Sequence, residues 1–239
     1  MIMNTKKEKA NQVLTLMRLL QFTDSTFPVG TFSFSNGLET AAYEGLVHNA
    51  ATLEEYTQDI ALQAAYSDGV IALHAHRAAV SKDYEALTSA DHRAMLFKMN
   101  AEARQMSTRM GKKMAELSIQ LFDEEPMVKR WLEAIRAEQT PGTYPVAQAL
   151  SFALAGLSEE ELFSSHQYGV INMVLSAALR CVKVSHYDTQ RILFRLGQLL
   201  PELYEEVRLM TYDDMYVFTP QADILASLHE KGTMRMFMN

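Results

Sequence analysis

Apolar residues recur at helical spacing along most of this chain, and strict alternation is nearly absent. Val13, Leu16, Met17 and Leu20 stand at i, i+3, i+4 and i+7, one face of a helix running to about Thr23. Residues 1–11 before it are polar and expected to fray. Asn36 with Glu39, and Thr52 with Glu55, have capping-box spacing and predict helix starts. The second of these leads into an Ala-rich helix, Ile60–Ala79, with a bend at Gly69. Asp91–Phe122 reads as one long helix with a stripe of Ala103, Met106, Met110, Met114, Leu117 and Leu121. A row of small residues, Ser107, Gly111 and Ser118, runs beside that stripe and invites close approach of another helix.

The second half continues in the same way. Asp123–Pro126 punctuates, and Val128–Glu138 is a short helix carrying Trp131. Thr140-Pro141-Gly142-Thr143-Tyr144-Pro145 is a sharp corner rather than a domain boundary. Helices are expected over Ala147–Ala155, from a Ser158 cap to about Val184, over Asp188–Leu199, and from Pro201 to about Met210. Tyr216–Thr219 reads as a lone extended segment, and Gln221–Glu230 as a last helix. The fold class is all-α: one compact domain of about ten helices over 12–219, with a flexible N-terminus, 1–11, and a partly ordered tail, 220–239.

One stretch interrupts the helices. Asp24–Glu39 holds Pro28, Gly30 and Gly37 and alternates Phe27, Phe32 and Phe34 with small polar residues. Proline and glycine stop a helix here, and the phenylalanines need burial. This is an ordered, packed loop: either a plain connector with a hydrophobic plug, or a recognition surface presenting Ser33, Ser35 and Glu39.

Composition narrows the function classes. The formal charge is −7, which argues against a dominant surface for nucleic acid or anionic membrane. The single cysteine, Cys181, excludes an internal disulfide and fits a reducing compartment, and no run of about 18 apolar residues suggests a membrane helix. Cytoplasm is the expected location. The 15 methionines suit irregular helical cores or adaptable binding surfaces.

Catalytic patterns are thin. Gly111-Lys112 lacks the remainder of a phosphate-binding loop. His74 and His76 are two apart on a helix and diverge. Cys181 and His186 are the one weak metal candidate, and they keep a metal-binding protein or metal-dependent enzyme as the alternative reading. Ser185-His186-Tyr187-Asp188 has triad residue types without triad spacing logic. Arg104, Arg109, Lys112 and Lys113 form a helix flank, either simply solvated or facing an acidic partner. The residues alone reach a soluble all-helical protein without a visible active site, which favours an interaction protein over an enzyme.

Several motifs carry a resemblance. Asp24-Ser25-x-Phe27-Pro28-Val29-Gly30-x-Phe32-x-x-Ser35-x-Gly37-Leu38-Glu39 resembles the signature of the urease accessory protein F family. Ala103-Arg104-x-x-Ser107-x-x-Met110-Gly111-Lys112-Lys113 and Ser176-Ala177-Ala178-x-Arg180 with Asp188-x-Gln190 agree with it. So do Pro220-x-x-Asp223-Ile224, His229-Glu230 and Arg235-x-Phe237. The chain departs from the family pattern at Thr143, where a His is usual, at Ala149, where a Gly is usual, and over Lys183–His186.

The resemblance implies an all-helical cytoplasmic homodimer that is a non-catalytic chaperone needing no cofactor. It implies bridging between the urease scaffold accessory protein (D or H) and the nickel-carrying GTPase accessory protein G, whose nucleotide cycle it tunes. Nickel would thereby reach apo-urease. Neither nucleic acid nor membrane is an expected partner. The implied partner-binding residues are Pro28, Gly30, Ser33, Ser35, Gly37 and Glu39 in the loop, and Arg104, Ser107 and Gly111 on the patterned helix. Gln190 belongs to the later helix pair. Asp223, His229, Glu230, Arg235 and Phe237 lie in a tail that orders on the scaffold.

Overall fold

In a computed structural model, the described residues are 2–30, 34–229 and 236–237, with side chains from residue 12 onward. They form twelve α-helices and no strand. The helices are α1 (Ile2–Thr23), α2 (Leu38–Tyr43), α3 (Ala50–Ala64), α4 (Val70–Ser81), α5 (Tyr84–Leu96) and α6 (Ala101–Leu121). They continue as α7 (Pro126–Arg136), α8 (Tyr144–Ala155), α9 (Glu159–Cys181), α10 (His186–Gly197), α11 (Leu200–Val207) and α12 (Pro220–His229). No helix among the described residues is long and apolar enough to cross a membrane.

Two apolar clusters build the core. The larger one packs α4 against α8 and surrounds them with α5, α6 and α7, with Trp131 fully buried. The smaller one joins α2, α3, α9, α10 and α12. The loop before α2 contributes to the first cluster through Val29 and Phe34, and Phe22 sets its ring edge-on to Phe27 at 5.3 Å. The expected packed loop is therefore present over its described part; Phe32 and Ser33 lie outside the described residues.

The small-residue row on α6 works as its pattern predicts. A methyl group on Gly111 would collide with the carbonyl of Gly142 and with Thr143, so α6 and the corner before α8 touch through backbone. Ser107 Oγ accepts the amide of Tyr144 at 3.2 Å, and Ser118 meets Ser151 at 2.7 Å. The corner itself is gathered by Asp91. Its carboxylate accepts from Thr140 Oγ (2.6 Å), Gly142 N (2.8 Å), Thr143 N (2.8 Å), Thr143 Oγ (2.6 Å) and Trp131 Nε1 (3.3 Å).

Several expectations are corrected. The first helix starts earlier than its apolar spacing indicates: the backbone is helical from Ile2, through Lys6, Lys7, Glu8, Lys9 and Ala10, all good helix formers. Asp91–Phe122 is two helices, because the Asn100 side chain accepts the amide of Ala103 at 2.7 Å and starts α6 afresh. Thr52 is not the cap of α3. It is the third residue of a capping box whose N-cap is Asn49. The bend at Gly69 is a π-helical turn, Ala65–Gly69, and a side chain there would press on Phe163. The segment Tyr216–Thr219 lies outside any helix, in keeping with its pattern, and a short 3-10 turn, Tyr212–Asp214, precedes it.

The first helix brings the largest surprise. Val13, Leu16, Met17 and Leu20, which share one face of the helix, are each more than half exposed. α1 buries Phe22 and part of Leu19 instead, and Arg18 donates to the carbonyl of Ala155 at 2.6 Å.

Candidate functional site: where the Gly37 loop meets the C-terminal helix

Helix α12 lies across α2 and α6. Ala222, Leu225 and Ala226 face inward. The close approach depends on Gly37, which adopts φ 78: a Cβ there would stand 3.1 Å from the carbonyl oxygen of Ala222 and 3.2 Å from the amide of Ala226. Tyr56 fixes the same turn by donating its hydroxyl to the carbonyl of Asn36 at 2.6 Å. At the start of α12, Asp223 accepts from the Asn100 side chain at 3.2 Å. Burial pushes the Asp223 carboxyl above its usual range, with the Asn100 bond acting against it.

At the other end of α12 the His229 ring is only 4 % exposed. Its Nε2 faces Glu39 at 2.9 Å, and its Nδ1 faces both oxygens of Glu102 at 3.1 and 3.2 Å. Both contacts are hydrogen bonds when each ring nitrogen carries a proton, or when one carboxyl is protonated. Glu39 reaches further along the tail: it accepts the amides of Met236 at 2.9 Å and Phe237 at 3.2 Å. Burial alone would raise the Glu39 carboxyl, but the Met236 amide, His229 and the Phe237 amide outweigh it and hold Glu39 below its usual value. Phe237 is buried beneath Arg180, whose guanidinium lies 4.7 Å from the ring centre.

The structure thus gathers Gly37, Glu39, Asp223, His229 and Phe237, residues from both ends of the chain, into one junction. Ser35 is buried at its edge, with its hydroxyl 3.5 Å from the amide of Glu39. Ser33, Glu230 and Arg235 lie outside the described residues. Pro28 and Gly30 are exposed on the loop and take no part in the junction. Ser107 and Gly111 serve the α6–α8 contact described above. Arg104 is exposed and donates through Nε to the carbonyl of Lys98 at 2.8 Å, bracing the α5–α6 joint. Gln190 sits on the outer face of α10 between the exposed Tyr187 and Phe194.

Glu102, Asn100 and Tyr56 escaped sequence reasoning. Glu102 reads as an ordinary acid in a first helical turn, and nothing local announces a partner 127 residues away. The expected capping box of Asn36 with Glu39 is absent. Asn36 stands at φ 54, α2 opens after Gly37 with no side-chain cap, and Glu39 serves the tail. A pocket against α12 is lined in part by Asn100, Asp223, Lys98, Asp68 and His166. Within it Asp68 is ion-paired to Lys98, and His166 meets Gln148 at 2.9 Å.

The other candidates resolve into structure. Ser185 and Asp188 form a capping box at the start of α10, so the triad-like run is spent on capping. His74 and His76 face the carbonyls of Met210 and Leu157, each at 2.9 Å. Cys181 is half-buried and its thiol donates to the carbonyl of Ala177 at 3.4 Å, while His186 is exposed. Burial, then the charge of Glu39, push the Cys181 thiol up to about 11, away from the thiolate a metal needs. Among the described residues no group of three or more His, Cys, Asp or Glu side chains is arranged to hold a metal ion.

The sequence model of the UreF family matches residues 47–197. The chain is 46 % identical over 224 residues to "Urease accessory protein UreF 2" of Brucella canis, covering 94 % of this chain and 92 % of that protein. It is 43 % identical over 224 residues to "Urease accessory protein UreF" of Yersinia pseudotuberculosis, covering 94 % and 98 %. These relatives are named as accessory to an enzyme, not as enzymes. The all-helical fold, the family match and this identity along nearly the full chain place it among them: the chain belongs to the UreF family of urease accessory proteins.

Proposed function

We propose that this protein is a non-catalytic chaperone that bridges the urease scaffold accessory protein and the nickel-carrying GTPase accessory protein while nickel is inserted into apo-urease. It works as a homodimer in the cytoplasm. The observation that carries this reading is the presence of two separate surfaces suited to protein partners. One is the outer face of α12, where Ile224 and Leu228 are exposed, continued by the exposed Met236. The other is the exposed apolar face of α1, with Val13, Leu16, Met17 and Leu20.

We assign the α1 face to a second copy of the chain. Tyr168 of α9 lines one hollow with Phe22 and Thr23 at the end of α1 and another with Phe194 and Gly197 of α10. An exposed apolar helix face, with the exposed aromatic residues Tyr187 and Phe194 elsewhere on the surface, suits a self-complementary twofold contact. The tail, 220–239, is assigned to the scaffold. Its described part packs on the core through few large side chains, so a partner can exchange for those contacts. The exposed Arg104, Lys112 and Lys113 suit an acidic partner surface.

The test is a deletion of the gene followed by measurement of urease activity and nickel content. Loss of both, restored by the intact chain, is expected. Full nickel loading without the protein would end the reading. Within the assembly, a chain truncated after Thr219 should fail to co-purify with the scaffold.

A further inference from the structure

Two buried polar atoms among the described residues, Asp68 Oδ1 and His166 Nε2, have no hydrogen-bond partner in the protein, and both residues line the pocket against α12. Both atoms are acceptors. Asp68 Oδ2 takes the ammonium of Lys98, so the carboxyl is ionised and Oδ1 keeps its lone pairs. His166 is 3 % exposed. Its Nδ1 lies 2.9 Å from Gln148 Oε1, and the Gln148 amide nitrogen is turned to Ser165 Oγ at 3.4 Å. Nδ1 therefore carries the proton, and Nε2 is left as a bare acceptor. Burial lowers the imidazole below its usual value, so it stays neutral at neutral pH. A buried acceptor left unmet destabilises a fold, and two in one cavity mark a place for a donor.

The cavity has a volume of about 130 Å³. That is the scale of a cavity that admits a six-carbon ring, well above the room one water needs. Charge narrows the occupant further. Lys98 neutralises Asp68, and burial pushes the carboxyl of Asp223, on the α12 wall, towards its neutral form against its bond from Asn100. An anion would meet two acceptors. A metal ion would lack ligands, since among the described residues no group of three His, Cys, Asp or Glu side chains is arranged to hold one. Much of the remaining wall is apolar, with Met106, Val170 and Met173. We propose that this cavity binds a short neutral primary amide: its NH2 bridges Asp68 Oδ1 and His166 Nε2, its carbonyl accepts from Lys98, and its alkyl end lies against Met106, Val170 and Met173. The ammonium of Lys98 carries three protons, so one on Asp68 leaves others for the carbonyl.

The experiment is a titration of the full chain, with isotope-labelled methionine methyl groups, by butyramide, butyrate and N,N-dimethylbutyramide, read by nuclear magnetic resonance. Butyramide should shift the methyl signals of Met106 and Met173 saturably. Butyrate has charge and no N–H, and N,N-dimethylbutyramide keeps the carbonyl and the tail but also has no N–H. Both should bind at least about tenfold more weakly, the factor one unmet buried acceptor carries. Asp68→Asn should weaken butyramide at least about fivefold, because Lys98 holds the Asn oxygen and an NH2 then stands where the acceptor stood. No saturable shift at the two methyl groups would leave the cavity to water and overturn the proposal. Equal affinity for butyramide and either analogue would overturn it too, as would unchanged affinity in Asp68→Asn. If Asp68→Asn does not fold, the three ligands on the unaltered chain decide alone. Every measurement is made on the isolated chain, so the outcome is independent of the partner assignment.

Discussion

Thr143 meets Asp91 twice across 52 residues of sequence, through its amide at 2.8 Å and its hydroxyl at 2.6 Å, both on Oδ1. The contact closes the corner between α7 and α8 and sets the backbone that presses on Gly111. The family pattern has a histidine at this position, and here threonine supplies two donors to one buried oxygen.

Removing that acceptor leaves Thr140, Gly142, Thr143 and Trp131 with buried donors and no partner. Asp91→Ala should therefore cost about 3 kcal/mol or more. Thr143→Val, which keeps the amide bond, should cost about 1–2 kcal/mol. Denaturant unfolding of the two variants checks the order; equal midpoints for wild type and Asp91→Ala would contradict it.

Gly111→Ala places a methyl group against backbone that cannot turn aside. A loss of about 1–3 kcal/mol is expected, the usual scale of overpacking. Gly156→Ala serves as a control of a different kind, since nothing lies within 4 Å of where its Cβ would stand and only its φ of 73 opposes substitution.

The α1 face should separate association from stability. Leu16 and Met17 are more than half exposed, so Leu16→Asp with Met17→Asp should leave the unfolding midpoint within about 0.5 kcal/mol of wild type. Sedimentation should show the pair shifted from dimer to monomer. A dimer that persists would move the twofold contact to another surface.

Acid should loosen the tail. The Glu39 carboxyl is held below its usual value by the tail amides and His229, against the opposing effect of burial. A depressed carboxyl contributes stability that is present above its unfolded value, 4.5, and is lost as pH falls through the folded one. Nuclear magnetic resonance of the α12 amides should report growing mobility below the ordinary carboxylate range. Glu39→Gln should flatten that dependence.

Cys181 should behave as an inert thiol. With its proton held up to about 11, alkylation at neutral pH should be far slower than for a free thiol. Nickel titration of the isolated chain should give no stoichiometric site that Cys181→Ala removes.

Much of the fold was legible because helices are local. Capping chemistry at Ser158, the break at Thr140–Pro145 and the small-residue row on α6 each act within a few residues, so their pattern is enough to place α9 and α8 and to announce a close contact on α6. The split between α5 and α6 was missed because one Asn side chain, Asn100, outweighs a long apolar periodicity. The family of the chain was legible through motifs, chiefly Asp24–Glu39 and the tail, whose residue types survive without revealing their contacts.

By itself the sequence determined that this chain is helical, where most helices start, and to which family its motifs point. Only the tertiary structure decided which apolar face stays outside, because the spacing of Val13, Leu16, Met17 and Leu20 is the same whether the core or a partner covers it. Only tertiary structure decided, too, that Glu39 leaves its own helix for His229, 190 residues on. A carboxylate's choice between a local amide and a distant imidazole depends on what burial brings within 3 Å, and spacing along the chain carries no record of that.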